Sequence, residues 1–388
     1  MKYILFIGLF LLYQLSVAQQ NSPEKQEEEK ENSVSPAMNS NYAEPVVREE
    51  IRKKDKSTRV MSAQDIVSPE SSLIQQRYLQ ASAAFQNTYS TSKKSTSRKS
   101  ATPEEIMEMN LKLESMRSAN PTGFEYQLAE YQIGNYDVSK IGYLKEAERL
   151  NPTNKVVQLH LAAYYEITGG AEKLTYLKKL SDSKYFSDDL LNYAQLVLAT
   201  MPKNGVLITH GTNDTYPLWM LQEINNYRSD VTIMSLDLMQ SQAYCQRFAK
   251  KGFRMPTSSF VDTQFLKELV QLNTSIGLHI SMTVPSPYLN SIRSFLEIEG
   301  LSFTTNTADF ATKNQHIYQQ LLKELEGLYV PKTTLGKQLQ LNLTPMLLVI
   351  RNTALITNDK RLLKKVEKQL IELAKAGGKE QQIKSLMK

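Results

Sequence analysis

The sequence predicts an α and α/β protein: helical repeats, then a small three-layer α/β domain with a mainly parallel sheet, then a helical C-terminus. Three observations carry that expectation. Apolar residues recur at helical spacing over 102–200, strand-length apolar runs alternate with helix-length segments over 201–311, and helical spacing returns over 312–388.

The chain opens with Lys2, an apolar run over 3–12, and the small residues Ser16 and Ala18 just before Gln19. This reads as a secretory signal peptide over 1–18, so the expected compartment is the periplasm. Residues 19–101 are expected to be a disordered or low-complexity tether. Glu27, Glu28 and Glu29 give way to Arg52, Lys53, Lys54 and Lys56, a composition that cannot offset its ordering entropy by burial. Within it Leu73, Ile74, Tyr78 and Leu79 suggest a short helix. The Ser/Thr/Lys tract over 90–100 reads as a linker whose Lys93, Lys94, Arg98 and Lys99 are solvated.

With 388 residues, 41% of them hydrophobic, the chain can build a sizeable core, and a net charge of +6 is modest for that length. The basic residues are dispersed and form no aromatic-interleaved platform, which argues against a nucleic-acid partner. Cys245 stands alone, so no internal disulfide forms, and it is expected to serve as a small apolar residue. After the signal, runs such as 347–350 have only core length, so no direct membrane insertion is expected.

Thr102-Pro103-Glu104-Glu105 supplies a capping hydroxyl, a proline at the first helical position and carboxylates at the positive helix end. Tyr126, Ala129, Gly134, Ile141, Leu144, Ala147, Leu150 and Asn151-Pro152 come next. A second round comes with Leu161, Ala162, Tyr165, Gly169, Leu174, Leu177 and Leu180. Paired helices with small residues at their crossings resemble tetratricopeptide repeats, and two of them need support from the segment on their C-terminal side.

That segment begins with a buried strand over 205–209. Asp214 or Thr215 is expected to cap the next helix, which runs through Trp219, Leu221, Ile224 and Tyr227, and a second strand spans 231–236. Strand, helix and strand make a βαβ unit and imply parallel pairing. Helices over 244–251 and 263–272, a strand over 276–284, a helix over 288–299 and a short strand over 301–305 extend it. Helices return after Thr312, with an apolar segment over 339–350 and a charged tail helix from Asn358.

The sequence holds no G-x-S-x-G elbow, no phosphate-cradling glycine loop, no H-E-x-x-H, no C-x-x-C and no D-x-D pair. No cofactor, metal or catalytic residue is therefore expected. Of the four histidines, His160 and His316 fall in helical patterns and read as packing or surface residues. The candidate binding residues are His210, Asn213, Asp214 and Thr215, at the carboxyl end of the first strand, with Asp237 after the second. Ligands of open α/β sheets bind outside that edge, and a helix N-terminus there favours anions. The same residues can equally turn the chain and cap the helix. His210, Asp214 and Asp237 could also serve acid–base chemistry if a nucleophile were present.

The stretch over 202–223 contains Asn213-Asp214-Thr215-Tyr216-Pro217-Leu218-Trp219 and Leu221-Gln222-Glu223. Arg228-Ser229-Asp230-Val231, Ser235-Leu236-Asp237-Leu238, Tyr288-Leu289 and Leu296 to Leu301 come after it. Together these resemble the water-exposed C-terminal region of large polytopic Bacteroidota membrane proteins related to protein O-mannosyltransferase-like glycosyltransferases. The resemblance covers about 120–310. In that family transfer chemistry is attributed to the membrane part, whose acidic residues have no counterpart here, and the family's Asp before the Asn-Asp-Thr run corresponds to Gly211 or Thr212. The expectation is a non-catalytic periplasmic interaction or scaffold protein with a protein partner in the cell envelope, such as a membrane or secretion complex. The alternative is an accessory that holds a glycan or acceptor for a separate membrane glycosyltransferase.

Overall fold

The structure, a computed structural model, describes residues 69–306, 309–328 and 331–388; the expected signal peptide and the tether over 19–68 lie outside them. Helices α1 (Pro69–Lys93) and α2 (Pro103–Ala119) form a hairpin. Its own apolar cluster of Tyr78, Phe85, Met109, Leu113 and Met116 closes on Tyr126 and Ala129 of the next helix. Thr102 supplies the expected capping hydroxyl and goes further, into a capping box: its hydroxyl accepts from the Glu105 amide at 3.3 Å, and the Glu105 carboxylate accepts from the Thr102 amide at 2.8 Å.

The linker expectation for 90–100 is overturned. These residues continue α1 and then form a buried turn, because Lys99 N–H donates to the Val261 carbonyl at 2.7 Å and Ser100 Oγ accepts from Val261 N–H at 2.9 Å. Arg98 bridges to Asp262 on the same loop and pairs with Glu105 at 2.7 Å. Long-range backbone pairing supplies the order that the tract's composition hides.

Five helices come next: α3 (Phe124–Ile133), α4 (Ile141–Leu150), α5 (Lys155–Thr168), α6 (Lys173–Asp182) and α7 (Asp188–Thr200). α3 packs on α4 and α5 on α6, and α6 and the unpaired α7 lean on the α/β part. The α/β part runs β1 (Val206–Thr209), α8 (Thr212–Asn225), β2 (Thr232–Ser235), α9 (Gln242–Lys250), α10 (Thr263–Leu272), β3 (Leu278–Ser281), α11 (Ser286–Ile292), β4 (Glu297–Glu299) and β5 (Ser302–Thr304).

The sheet order is β2-β1-β3-β5-β4. β1 pairs in parallel with β2 and β3, whereas β5 pairs antiparallel with both β3 and β4. The sheet is therefore mixed rather than mainly parallel. The cause is local: the expected helix over 288–299 stops at Ile292, and Glu297-Ile298-Glu299 turns back through Gly300 as a hairpin. Gly300 has φ 61°, and a Cβ there would lie 2.5 Å from Thr200 Cβ, so both the turn and its contact with α7 require glycine.

Because β2 and β3 flank β1 on opposite sides, right-handed crossovers carry α8 to one face and α10 to the other, giving the three layers. The chain ends with α12 (Phe310–Leu328), α13 (Thr334–Gln340), α14 (Thr344–Ile356), α15 (Lys360–Ala376) and α16 (Glu380–Leu386). Among the described residues, Thr334–Ile356 is long and apolar enough by length and composition to cross a membrane. The fold instead breaks it into α13, a 3-10 turn and α14, and buries Leu339, Leu343, Met346, Leu347 and Ile350 in the main core. That core runs without a break from Leu128 to Ile383.

Candidate functional site

β1 sits between β2 and β3, so the chain leaves its carboxyl end toward α8 while neighbouring connections diverge to opposite faces. This is the crevice where open α/β sheets hold ligands. His210 and Gly211 come directly after β1, Asp237 comes after β2, Ser281 ends β3 and Thr283 lies in the turn after it. Gly211 is the N-cap of α8, with φ 81° and ψ 172°, a region essentially reserved for glycine. Neither Asp214 nor Thr215 is the cap, contrary to expectation; glycine takes that position because only it reaches the required backbone angles.

The two carboxylates face different partners. Asp214 reaches back from the first turn of α8: Oδ2 accepts from His210 N–H at 2.9 Å and Oδ1 accepts from Ser281 Oγ–H at 2.8 Å. Thr283 lies 2.9 Å from the same Ser281 hydroxyl, so a chain of donors runs from β3 to α8 across the switch point. Burial pushes Asp214 up to about 6, partly opposed by these donors. Asp237 accepts from Gly211 N–H at 2.6 Å through Oδ2 and pairs with Lys99 Nζ at 3.1 Å through Oδ1. Burial again opposes ionisation, but the Lys99 charge, reinforced by the Gly211 amide, wins and holds Asp237 down at about 2.

His210 is held neutral, its imidazole pushed down to about 3 by burial and by Lys99. Its ring meets that of Tyr288 at 6.0 Å, and Nε2 is buried without a hydrogen-bond partner among the described residues. Thr215 points inward to Thr209, with hydroxyls 2.8 Å apart, and Asn213 is exposed. Of the five candidates, the structure thus brings His210, Asp214 and Asp237 to the strand edge; Thr215 becomes packing and Asn213 faces away from the cluster's bonds. Among the described residues, no group of three or more His, Cys, Asp or Glu could hold a metal.

The residues missed by the sequence reading are Lys99, Ser281 and Thr283 in the bonds above, and Lys93 beside them. Lys99, expected to be solvated, is 2% exposed. Nothing local distinguishes it from its neighbours in the Ser/Thr/Lys tract, since its partner comes after a strand far along the chain. Ser281 and Thr283 do fall at the end of a recognisable strand and just beyond it, which is the place to look.

The rest of the Pro217 to Glu223 stretch has structural work. Trp219 is buried under Lys173, whose Nζ stands 4.9 Å from the ring and pairs with Glu223 at 2.9 Å and Glu166 at 2.6 Å. Gln222 Nε2 donates to the Arg228 and Val231 carbonyls at 2.9 and 2.7 Å. Arg228 in turn grips Asp230 at 2.8 Å and the Leu198 carbonyl at 2.7 Å. These residues weld α8 to the helical repeats and to the start of β2. Cys245 is half-buried, its thiol donating to the Met239 carbonyl at 3.2 Å, and burial raises it to about 11, which removes it from thiolate chemistry at neutral pH.

No curated protein and no solved structure matches the chain. Residues 190–361, from α7 through α14, match the family model described as TMEM260-associated domain 2, which relates this part of the chain to the TMEM260 family.

Proposed function

We propose that the chain is a non-catalytic interaction module of the periplasmic cell envelope, acting as an accessory to a separate membrane glycosyltransferase of the O-mannosyltransferase-like kind. The observation that carries this reading is the state of the strand edge. Each carboxylate there is engaged by groups of the chain itself: Asp237 by Lys99 and the Gly211 amide, Asp214 by the His210 amide and Ser281. A catalytic acid or base must be able to reach substrate, whereas these groups hold the helical hairpin, α8 and β3 together. The family match over 190–361 and the resemblance of 202–223 favour a glycosyltransferase as the partner over a secretion complex.

A photo-cross-linking residue tests this directly. Helix α2 exposes Met107 and Leu111 one turn apart on its outer face, at 63% and 65%. With the probe at Leu111 in living cells, the reading expects an adduct with a polytopic glycosyltransferase, and purified chain that transfers no sugar. Adducts confined to secretion components, or transfer by the purified chain alone, would replace it.

A further inference from the structure

α14 runs out of the core at its C-terminal end. Leu347, Ile350 and Ala354 are buried, but Ile356, the last residue of the helix, is 83% exposed and Leu355 is 48% exposed. No other large apolar side chain among the described residues is as exposed as Ile356. The turn beyond it is ordered by backbone bonds: Thr357 N–H donates to the Thr353 carbonyl and Asp359 N–H to the Ala354 carbonyl, each at 2.9 Å. A fixed turn therefore holds an apolar pair out in solvent.

The helix that starts beyond the turn is built against its own dipole. α15 has no acidic residue in its first turn, although the positive end of a helix favours carboxylates and disfavours cations. Lys360 and Arg361 occupy that turn and Lys364 and Lys365 the next, all exposed, with exposed Lys368 one turn on. Like charges four residues apart also repel on a helix. The two carboxylates of this stretch are engaged: Asp359 accepts from Leu362 N–H at 2.9 Å, and Glu367 pairs with Arg351 at 2.8 Å. Residues 355–368 carry a net charge of +3, half that of the whole chain. Among the described residues, Lys360, Arg361, Lys364 and Lys365 form no ion pair, and Lys368 meets only Glu372 at 3.8 Å. Local rules broken together at one surface, with no compensating contact inside the fold, point to a partner outside it.

We propose that this tip docks the chain on an anionic lipid bilayer. Leu355 and Ile356 enter the boundary between headgroups and acyl chains, and the five cations lie against lipid phosphates. A bilayer is the occupant that fits both charge and shape. A stable protein interface buries about 800 Å² on each partner, which two apolar residues on a turn do not supply, whereas a lipid surface needs no complementary groove. From Lys360 to Lys368 the cations extend over about 12 Å of helix axis, so they meet a surface rather than a single anion. Adsorption of this kind leaves the rest of α14 in the core and is distinct from spanning. It requires no glycosyltransferase partner and stands independently of the proposed function.

The test is flotation of the full chain with vesicles of phosphatidylcholine mixed with phosphatidylglycerol, against vesicles of phosphatidylcholine alone. Binding to the mixed vesicles is expected, and it should weaken as salt is raised. Lys364→Glu with Lys365→Glu should lower that affinity at least about tenfold. Ile356→Ser should lower it about fivefold, a loss that salt does not remove. Lys250→Glu with Lys251→Glu, exposed at the end of α9, changes the net charge by the same amount and should leave binding nearly unchanged. The apolar run over 3–12 is common to all these proteins and cancels from the comparison. No preference for phosphatidylglycerol, equal losses from the two lysine pairs, or full binding by Ile356→Ser would overturn the proposal. Should the Lys364 and Lys365 variant fail to fold, Ile356→Cys carrying an environment-sensitive fluorophore decides, since Cys245 is half-buried. Its emission should shift to the blue on mixed vesicles, and an unchanged spectrum contradicts docking. In cells a photo-cross-linking residue at Ile356 should label lipid, and adducts confined to an acidic protein would rule out the bilayer as occupant.

Discussion

Lys99 Nζ stands 3.1 Å from Asp237 Oδ1, and this contact fastens the turn before α2 to the end of β2. Removing one member of a buried pair leaves the other charge uncompensated. Lys99→Met should therefore cost about 2–4 kcal/mol, somewhat below the full buried value because the Asp237 side chain keeps 18% of its surface. Asp237→Asn added to Lys99→Met should recover part of that loss. A double-mutant cycle by urea unfolding should show a coupling above about 1 kcal/mol; additive losses would mean that the pair contributes nothing specific.

Asp214 bonds the His210 amide and the Ser281 hydroxyl, the second of which also meets Thr283. Asp214→Ala strands the His210 amide and leaves the Ser281 hydroxyl with Thr283 as its partner, at an expected cost of about 1–3 kcal/mol. Ser281→Ala should cost less, since Asp214 keeps the His210 amide. Equal costs in chemical denaturation would mean that the hydroxyl, rather than the amide, governs this carboxylate.

The pH dependence of stability has two components of opposite sign. Burial holds His160 and His210 at about 3 and His279 at about 4, all below the ordinary 6.5. Their neutral forms stabilise the fold above 6.5, and that contribution is lost as pH falls from about 6.5 toward 3. Asp214 runs the other way: its carboxyl is raised from 3.8 to about 6, so its contribution is full below 3.8 and is lost as pH rises through about 6. Melting temperatures of Asp214→Asn and the unsubstituted protein at pH 4, 5, 6 and 7 separate the two. The variant should gain relative to the parent between pH 4 and 6 and hold that gain at pH 7.

Gly211 offers a test of backbone geometry free of packing. A Cβ there would meet no atom within 4 Å, yet φ 81° with ψ 172° is unfavourable for any L side chain. Gly211→Ala should cost about 1–3 kcal/mol from strain alone. A neutral substitution, measured by thermal melting, would show that the turn after β1 adopts another conformation.

Much of the fold was legible because its signals are local. The consecutive apolar residues at 206–208 between a turn and Gly211, the Thr102 capping box and the apolar stripe of α10 each declare an element within a few residues. The hairpin was half legible: its second strand falls within the expected 301–305, but Leu296 continues the helical spacing of Leu289 and Ile292, and only the i, i+2 step to Ile298 and then Gly300 hint at the first strand and the reversal. At the site, the loop after β1 and the position of Asp237 were legible from the βαβ rule, which says where strands end. That rule does not say which part of the chain covers the edge. Lys99 and Lys93 sit in a tract whose composition matches a linker, and their order comes from Val261, Asp237 and Asn135, all distant in sequence.

Residues 93–101 dock on the carboxyl edge of the sheet as part of the native core, and the role assigned to Lys99 depends on that docking. Amide hydrogen exchange measures it directly, because Lys99 N–H donates to Val261, Val261 N–H to Ser100 and Gly211 N–H to Asp237. The three amides should exchange slowly and at similar protection, and Lys99→Met should accelerate all three together while leaving the α14 core unchanged. A Lys99 amide that exchanges at the rate of an unstructured chain while Gly211 stays protected would contradict the docking.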